Sequence, residues 1–146
     1  GGSGISEGRY QITSVNSGKA LEVGGWSTDN GGNVQQWSAY GNANQLWDVE
    51  EAGDGEYIIE NVNSGKVLDV AGYSTDNGGN IHQWDRHGGD NQRFRIAAVD
   101  GDEYKIVSAH SGKVLDVEDY STDNGGNVHQ WGWSGTDNQC WQFDRV

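Results

Sequence analysis

The side chains that could do chemistry recur as one fixed set. Asp69, His82, Trp84 and the pair Asn91-Gln92 are matched, 47 residues earlier, by Glu22, Gln35, Trp37 and Asn44-Gln45, and 47 residues later by Asp116, His129, Trp131 and Asn138-Gln139. A carboxylate can accept from two neighbouring hydroxyls, an indole offers a flat apolar plate, and a primary amide both donates and accepts. A free sugar presents the complement, with a C–H patch on one face and a fan of hydroxyls at its edge. In the second set, Trp84 would stack on a pyranose, Asp69 would take two adjacent hydroxyls, and Asn91 would bond the same edge. Gln92 and its equivalents join that edge, or else support the fold or orient the aspartate.

Other chemistries fit the set less well. Glycoside hydrolysis needs two carboxyl groups in different protonation states, about 5–9.5 Å apart, and each set holds one obvious carboxylate. Triplication of a motif suits multivalent binding, whereas catalysis assembles one asymmetric site. The chain has no Gly-x-Ser-x-Gly or His-Glu-x-x-His run, and its single cysteine, Cys140, lies inside a Gln-x-Trp signature, so no catalytic residue is assigned. Asp29-Asn30-Gly31-Gly32-Asn33 is loosely like a calcium loop but lacks the alternating acids and closing Glu of an EF-hand, and Asx turns explain it more simply. A weakly held cation among those oxygens stays open. His82 and His129 stand singly in their sets, which argues against zinc. No metal and no cofactor are expected.

The elements that must position these residues follow from the repeat. Ser17-Gly18-Lys19 returns as Ser64-Gly65-Lys66 and Ser111-Gly112-Lys113, and Ser-Thr-Asp-Asn-Gly-Gly-Asn begins at Ser27, Ser74 and Ser121, always at 47-residue spacing. Residues 6–52, 53–99 and 100–146 are then three units of one domain, behind a leader, residues 1–5, whose Gly1-Gly2-Ser3-Gly4 has the look of an added segment. Within the first unit, Tyr10 to Val15 and Ala20 to Val23 read as strands joined by a Ser-Gly turn, and Val34 to Trp37 and Gln45 to Val49 read as two more. Four strands per unit make an all-β domain of roughly twelve strands with pseudo-threefold symmetry. None of the units has the look of an end cap, so closure around an axis is favoured over an open solenoid. Ile12, Val15, Leu21, Val23, Val34, Trp47 and Val49, with their equivalents, form the expected core. Alternation along Leu21-Glu22-Val23 sends Glu22 to the face opposite its neighbours.

Composition limits the partners. Nine Lys and Arg against 22 Asp and Glu give a net charge of −13, which disfavours duplex nucleic acid and anionic lipid headgroups. No apolar run approaches the ~20 residues of a membrane span. A chain only 33% hydrophobic, with a mean hydropathy of −0.81, could pass for a disordered one, but seven tryptophans and six tyrosines argue that it folds. That many tryptophans exceeds the needs of a small core and leaves some to face a ligand. The acids scatter over variable positions such as Glu50, Asp100 and Asp119, a pattern that fits solubility better than a cationic ligand.

Three tandem units ending in Gln45-Leu46-Trp47, Gln92-Arg93-Phe94 and Gln139-Cys140-Trp141, each with a Leu-(Asp/Glu)-Val strand upstream, resemble the ricin-type β-trefoil lectins. The unbroken spacing is also similar to symmetric trefoils designed on that family. The resemblance covers residues 6 to 146 and implies a β-trefoil that binds glycans as a monomer, extracellular in its natural setting. It implies sugar contacts from the acid, the strand aromatic and the Asn of each set, galactose or lactose first and xylan as the alternative. At the position of Tyr40, His87 and Ser134 the family often places an aromatic or His; Tyr40 and His87 would contact sugar, while Ser134 cannot stack and leaves Trp133 to substitute. Trp26, Tyr73 and Tyr120 either pack over their turns or form a second sugar contact. Glu22, one methylene longer than the usual Asp, makes the first site the weakest expected. The family's intra-repeat cysteines are absent, their places taken by residues such as Ala20 and Arg86. Two competing readings are a protein-binding trefoil, which would need an irregular loop such as 132–137, and a xylan-binding module of a larger glycosidase.

Overall fold

The computed structural model describes residues 5–146, so the first four of the five residues assigned to a leader lie outside the described residues. Ile5, grouped with that leader, packs against the core, and its carbonyl accepts from the Tyr57 hydroxyl at 2.8 Å.

The first unit forms β1 (Gly8–Ser14), β2 (Ala20–Val23), β3 (Val34–Trp37) and β4 (Leu46–Gly53). The second forms β5 (Glu56–Asn61), β6 (Val67–Val70), β7 (Ile81–Trp84) and β8 (Phe94–Asp100). The third forms β9 (Glu103–Ser108), β10 (Val114–Val117), β11 (Val128–Trp131) and β12 (Trp141–Arg145). The first and fourth strands of each unit close a barrel: β1 pairs with β4, β4 with β5, β5 with β8, β8 with β9, β9 with β12, and β12 with β1, all antiparallel. A closed ring leaves none of its strands with an open edge. The other six strands form the hairpins β2–β3, β6–β7 and β10–β11. This is the expected β-trefoil of three four-strand repeats.

Sequence explains how the hairpins meet. Asn33, Asn80 and Asn127 form a closed ring on the pseudo-threefold axis: Asn33 Nδ2 donates to Asn127 Oδ1 (2.8 Å), Asn80 Nδ2 to Asn33 Oδ1 (2.9 Å) and Asn127 Nδ2 to Asn80 Oδ1 (3.0 Å). The Gln before each strand tryptophan fastens one repeat to the next. Gln83 is fully buried; its Nε2 donates to the carbonyls of Ser27 and Asp29 in the preceding unit, at 3.0 and 2.9 Å, and its Oε1 accepts from Ser64. Gln130 holds the turn of the second unit in the same way and Gln36 that of the third, so the chain of contacts closes on itself.

The core lies inside the barrel and beneath the hairpins. Ile12, Leu21, Val23, Val34 and Trp47 and their equivalents are fully buried, apart from traces at most. Trp47 and Trp141 spend their indole N–H on the carbonyls of Leu21 (2.9 Å) and Leu115 (3.2 Å), while Phe94, at the same position, brings no donor. Two expectations need correcting. Val15, Val62 and Ala109 are only half-buried, because the strand ends at Ser14 and the chain then turns outward, the Val15 N–H reaching the Cys140 carbonyl in the third unit. The fourth strand begins after Gln45, which sits in a 3-10 turn, Ala43–Gln45, and runs on to Gly53.

Candidate functional site

Each unit builds one shallow pocket from three elements: the middle of its second strand, the outer face of its third, and the 3-10 turn before its fourth. Cross-strand pairing sets the first two opposite each other, with Glu22 facing Gln35, Asp69 facing His82 and Asp116 facing His129. The 3-10 turns Ala43–Gln45, Asp90–Gln92 and Asp137–Gln139 bring in the amide pairs. The cavities measure about 370, 260 and 280 Å³ in chain order.

The carboxylates form the floors. Glu22, Asp69 and Asp116 are only 6%, 4% and 6% exposed, although strand alternation turns them away from the barrel core. A buried charge needs donors, and each acid has them. Asp69 takes His82 Nε2–H on Oδ1 (2.8 Å) and Gln92 Nε2–H on Oδ2 (2.9 Å), with His87 Nε2 at 3.8 Å. Asp116 takes His129 on Oδ1 (2.9 Å) and both Gln139 (2.9 Å) and Asn138 (3.3 Å) on Oδ2. Glu22 takes Gln35 on Oε2 (2.7 Å) and both Gln45 (3.1 Å) and Asn44 (3.4 Å) on Oε1. The longer acid therefore keeps donors at the same three positions as Asp116, with its two amide contacts slightly longer.

The amide pair divides its work. Gln45, Gln92 and Gln139 are at most 1% exposed. Their Oε1 atoms accept from the backbone N–H of Tyr40, His87 and Ser134, tying the carboxylate to the loop that carries those three residues. Asn44, Asn91 and Asn138 line the pockets, each donating to the carbonyl of the valine after the acid. Asn44 and Asn91 Oδ1 meet no donor among the described residues, whereas Asn138 Oδ1 accepts from Thr136 at 2.7 Å.

The walls are aromatic. Trp37, Trp84 and Trp131 line the three pockets with 37%, 40% and 44% of their surface exposed. His82 and His129 stack beneath Trp84 and Trp131 at centroid distances of 5.5 and 5.4 Å. Tyr40 and Ser134 line the first and third pockets, and His87 the second, where it stacks on Tyr73 at 6.0 Å. Gly89 leaves them room: a Cβ would come within 2.7 Å of His87 Cε1, 2.8 Å of Tyr73 Oη and 2.9 Å of Asn91 Oδ1, so those side chains would have to shift to admit one. Trp133 does not stand in for Ser134, since its ring lies under Lys105 Nζ at 4.9 Å, outside the pocket lining.

For Trp26, Tyr73 and Tyr120 the sequence leaves open packing over a turn or a second sugar contact. They line the pockets, are half-exposed, and have φ of 57°, 54° and 56°. Bulky residues rarely occupy this left-handed region, and such strain concentrates at functional positions. The neighbouring unit pins each one, with Asn63 Nδ2 donating to the Trp26 carbonyl (3.3 Å), His110 Nε2 to that of Tyr73 (3.0 Å) and Asn16 Nδ2 to that of Tyr120 (3.2 Å). The signal available in sequence was an aromatic at one position of all three repeats; its backbone angle depends on contacts between repeats.

No group of three or more His, Cys, Asp or Glu that could hold a metal occurs among the described residues, and none of their helices is long and apolar enough to cross a membrane. Cys140 is buried, and burial, with smaller contributions from Glu103 and Asp137, pushes its thiol up from the ordinary value, the wrong direction for a nucleophile.

Fold, repeat and pockets define a lectin-like trefoil. The chain belongs to the ricin-type beta-trefoil lectin domain-like family, which it matches over residues 3–84 and 90–146. Among solved structures it is similar to ThreeFoil, a designed 3-fold symmetric protein, at 45% identity and a TM-score of 0.93, over 94% of this chain and 99% of that one. It is similar as well to an exo-beta-1,3-galactanase from Clostridium thermocellum, at 38% identity and a TM-score of 0.93, over 98% of this chain but 31% of the galactanase. The Rhizoctonia solani agglutinin matches at 26% identity and a TM-score of 0.88, with 97% of each chain covered. No curated protein matches.

Proposed function

We propose that this chain binds pyranose glycans at three pockets, with galactose-type sugars the favoured ligands. One observation carries the reading: an exposed tryptophan stands beside a buried carboxylate whose oxygens are already fixed by amide or imidazole donors, and this pairing occurs three times. A pyranose would lay its C–H face on Trp37, Trp84 or Trp131 and give hydroxyl protons to the remaining lone pairs of Glu22, Asp69 or Asp116. Asn44, Asn91 and Asn138 would bond the same edge, with Trp26, Tyr73 and Tyr120 as a second apolar wall. Gln45, Gln92 and Gln139 would act by holding the acids.

The donors fixed on Glu22 and Asp69 suit an acceptor and not a proton-donating general acid, so the reading carries no catalytic step. Shallow pockets bind single sugars weakly, and three on one rigid body gain from clustered or polymeric ligand. The galactanase that shares this fold over 31% of its length supports a galactan-type polymer as the natural target, with xylan the competing one. Binding of Asp69→Ala together with Asp116→Ala to immobilised lactose and to xylo-oligosaccharides tests the reading. Loss of at least about tenfold in avidity is expected in a chain that still unfolds cooperatively, at a lowered midpoint because buried donors lose their acceptor; the loss of a hydrogen bond to a charged group is worth that much at each site. Undiminished binding would show that these acids are not the site.

A further inference from the structure

The three pockets are not chemically alike, and the lining of the third carries one carboxylate, Asp119, that the other two lack. We propose that the third pocket prefers a pyranose bearing an ammonium group, and that Asp119 confers this preference. The proposal rests on the glycan-binding reading above.

Asp119 lines the third pocket beside Tyr120 and Trp131. At its position the first and second units have Gly25 and Gly72, at φ of 65° and 64°, and Asp119 keeps that backbone at 56°. The chain thus adds a carboxylate to the rim without rebuilding the loop, in a conformation that glycine adopts more cheaply. Among the described residues Asp119 takes part in no hydrogen bond or ion pair, and no Lys or Arg lines any of the three pockets. The histidine nearby does not neutralise it, because His129 faces Asp116 through Nε2 (2.9 Å) and Glu118 through Nδ1 (3.3 Å). Glu118, where the other units have Gly24 and Ala71, also accepts from Asn127 at 2.7 Å. In the second pocket the single carboxylate, Asp69, lies at the floor with two histidines around it, and in the first Glu22 is held by neutral amides.

An ammonium at the mouth of the third pocket would meet an unpaired carboxylate and two exposed aromatic faces, whereas a hydroxyl or acetamido group there can hydrogen-bond the carboxylate but gains no charge–charge or cation–π attraction. For a solvent-exposed pair the effect is modest, about threefold to tenfold in affinity, and it weakens as salt is added.

The indole N–H signals of Trp37, Trp84 and Trp131 report on the pockets separately. Titration of the nitrogen-15-labelled chain, at a pH where the amine is protonated, would use galactosamine against galactose and glucosamine against glucose. The expected result is a threefold to tenfold preference for the amino sugar at Trp131 and a ratio near one at Trp84 and Trp37. Asp119→Gly restores the residue of the other repeats and should abolish the preference. Gly72→Asp should confer it on Trp84, since a Cβ at Gly72 meets no atom within 4 Å and Asp119 already holds the same left-handed backbone in the third unit. Equal ratios at all three indoles, a preference that survives Asp119→Gly, or no gain from Gly72→Asp would overturn the proposal while leaving glycan binding intact. No movement of any indole with any of the four sugars would remove the glycan-binding reading and this proposal with it.

Discussion

A carboxylate that is 4% exposed yet faces a pocket is costly unless its partners are fixed, and Asp69 shows how that cost is met. His82 and Gln92 occupy one oxygen each and hold the group as an acceptor. At the aromatic rim strain is retained instead. Tyr73 has a φ of 54°, so Tyr73→Gly should raise stability by about 0.5–1 kcal/mol, read by urea unfolding, while lowering the sugar affinity of the second pocket. A fall in stability would mean that the ring packs more than it strains. Cys140 makes a separate prediction. Its thiol value is raised in the folded state, so folding stability from this group is complete below the unfolded value, about 8.5, and declines as pH rises through it. Thiol labelling at pH 8 should accordingly be slow in the native protein and rapid once it is unfolded in urea.

Hairpins and turns carry the contacts between repeats, and Gln36, Gln83 and Gln130 are their fastenings. Gln83→Ala would leave the Ser27 and Asp29 carbonyls and the Ser64 hydroxyl without their partner. The expected loss is about 2–4 kcal/mol in urea unfolding, far more than for an exposed glutamine. The strands themselves were legible in the sequence because β-rich runs and Ser-Gly turns recur in register, and so was the pairing of Asp69 with His82 and Trp84 on one surface. Three features were not. Val15 continues the apolar pattern of its strand, but the turn that removes it from the core is set by Cys140 of another repeat. Glu22 alternates out of the core, yet the loop held by Gln45 covers it, so facing away from the core did not mean facing water. The left-handed backbone of Trp26, Tyr73 and Tyr120 depends on Asn63, His110 and Asn16 of neighbouring units, which no local pattern reports.

At the scale of the molecule, three units that each dock a turn into the next, with β12 closing on β1, make one cooperative body and not a string of modules. The same closure holds three pockets in fixed relative positions, so that binding would be trivalent and avidity would follow from geometry. The charge of −13 is spread over that body, and Asp119 is the one rim acid to which we give a binding role. The central claim is that every unit holds a working sugar pocket. Titration calorimetry of the intact chain with lactose, at a chain concentration above the dissociation constant, tests it most directly, because stoichiometry then counts pockets. The expected stoichiometry is three per chain, falling to two in Trp84→Ala. A value near one, unchanged by Trp84→Ala, would mean a single asymmetric site and would contradict the account.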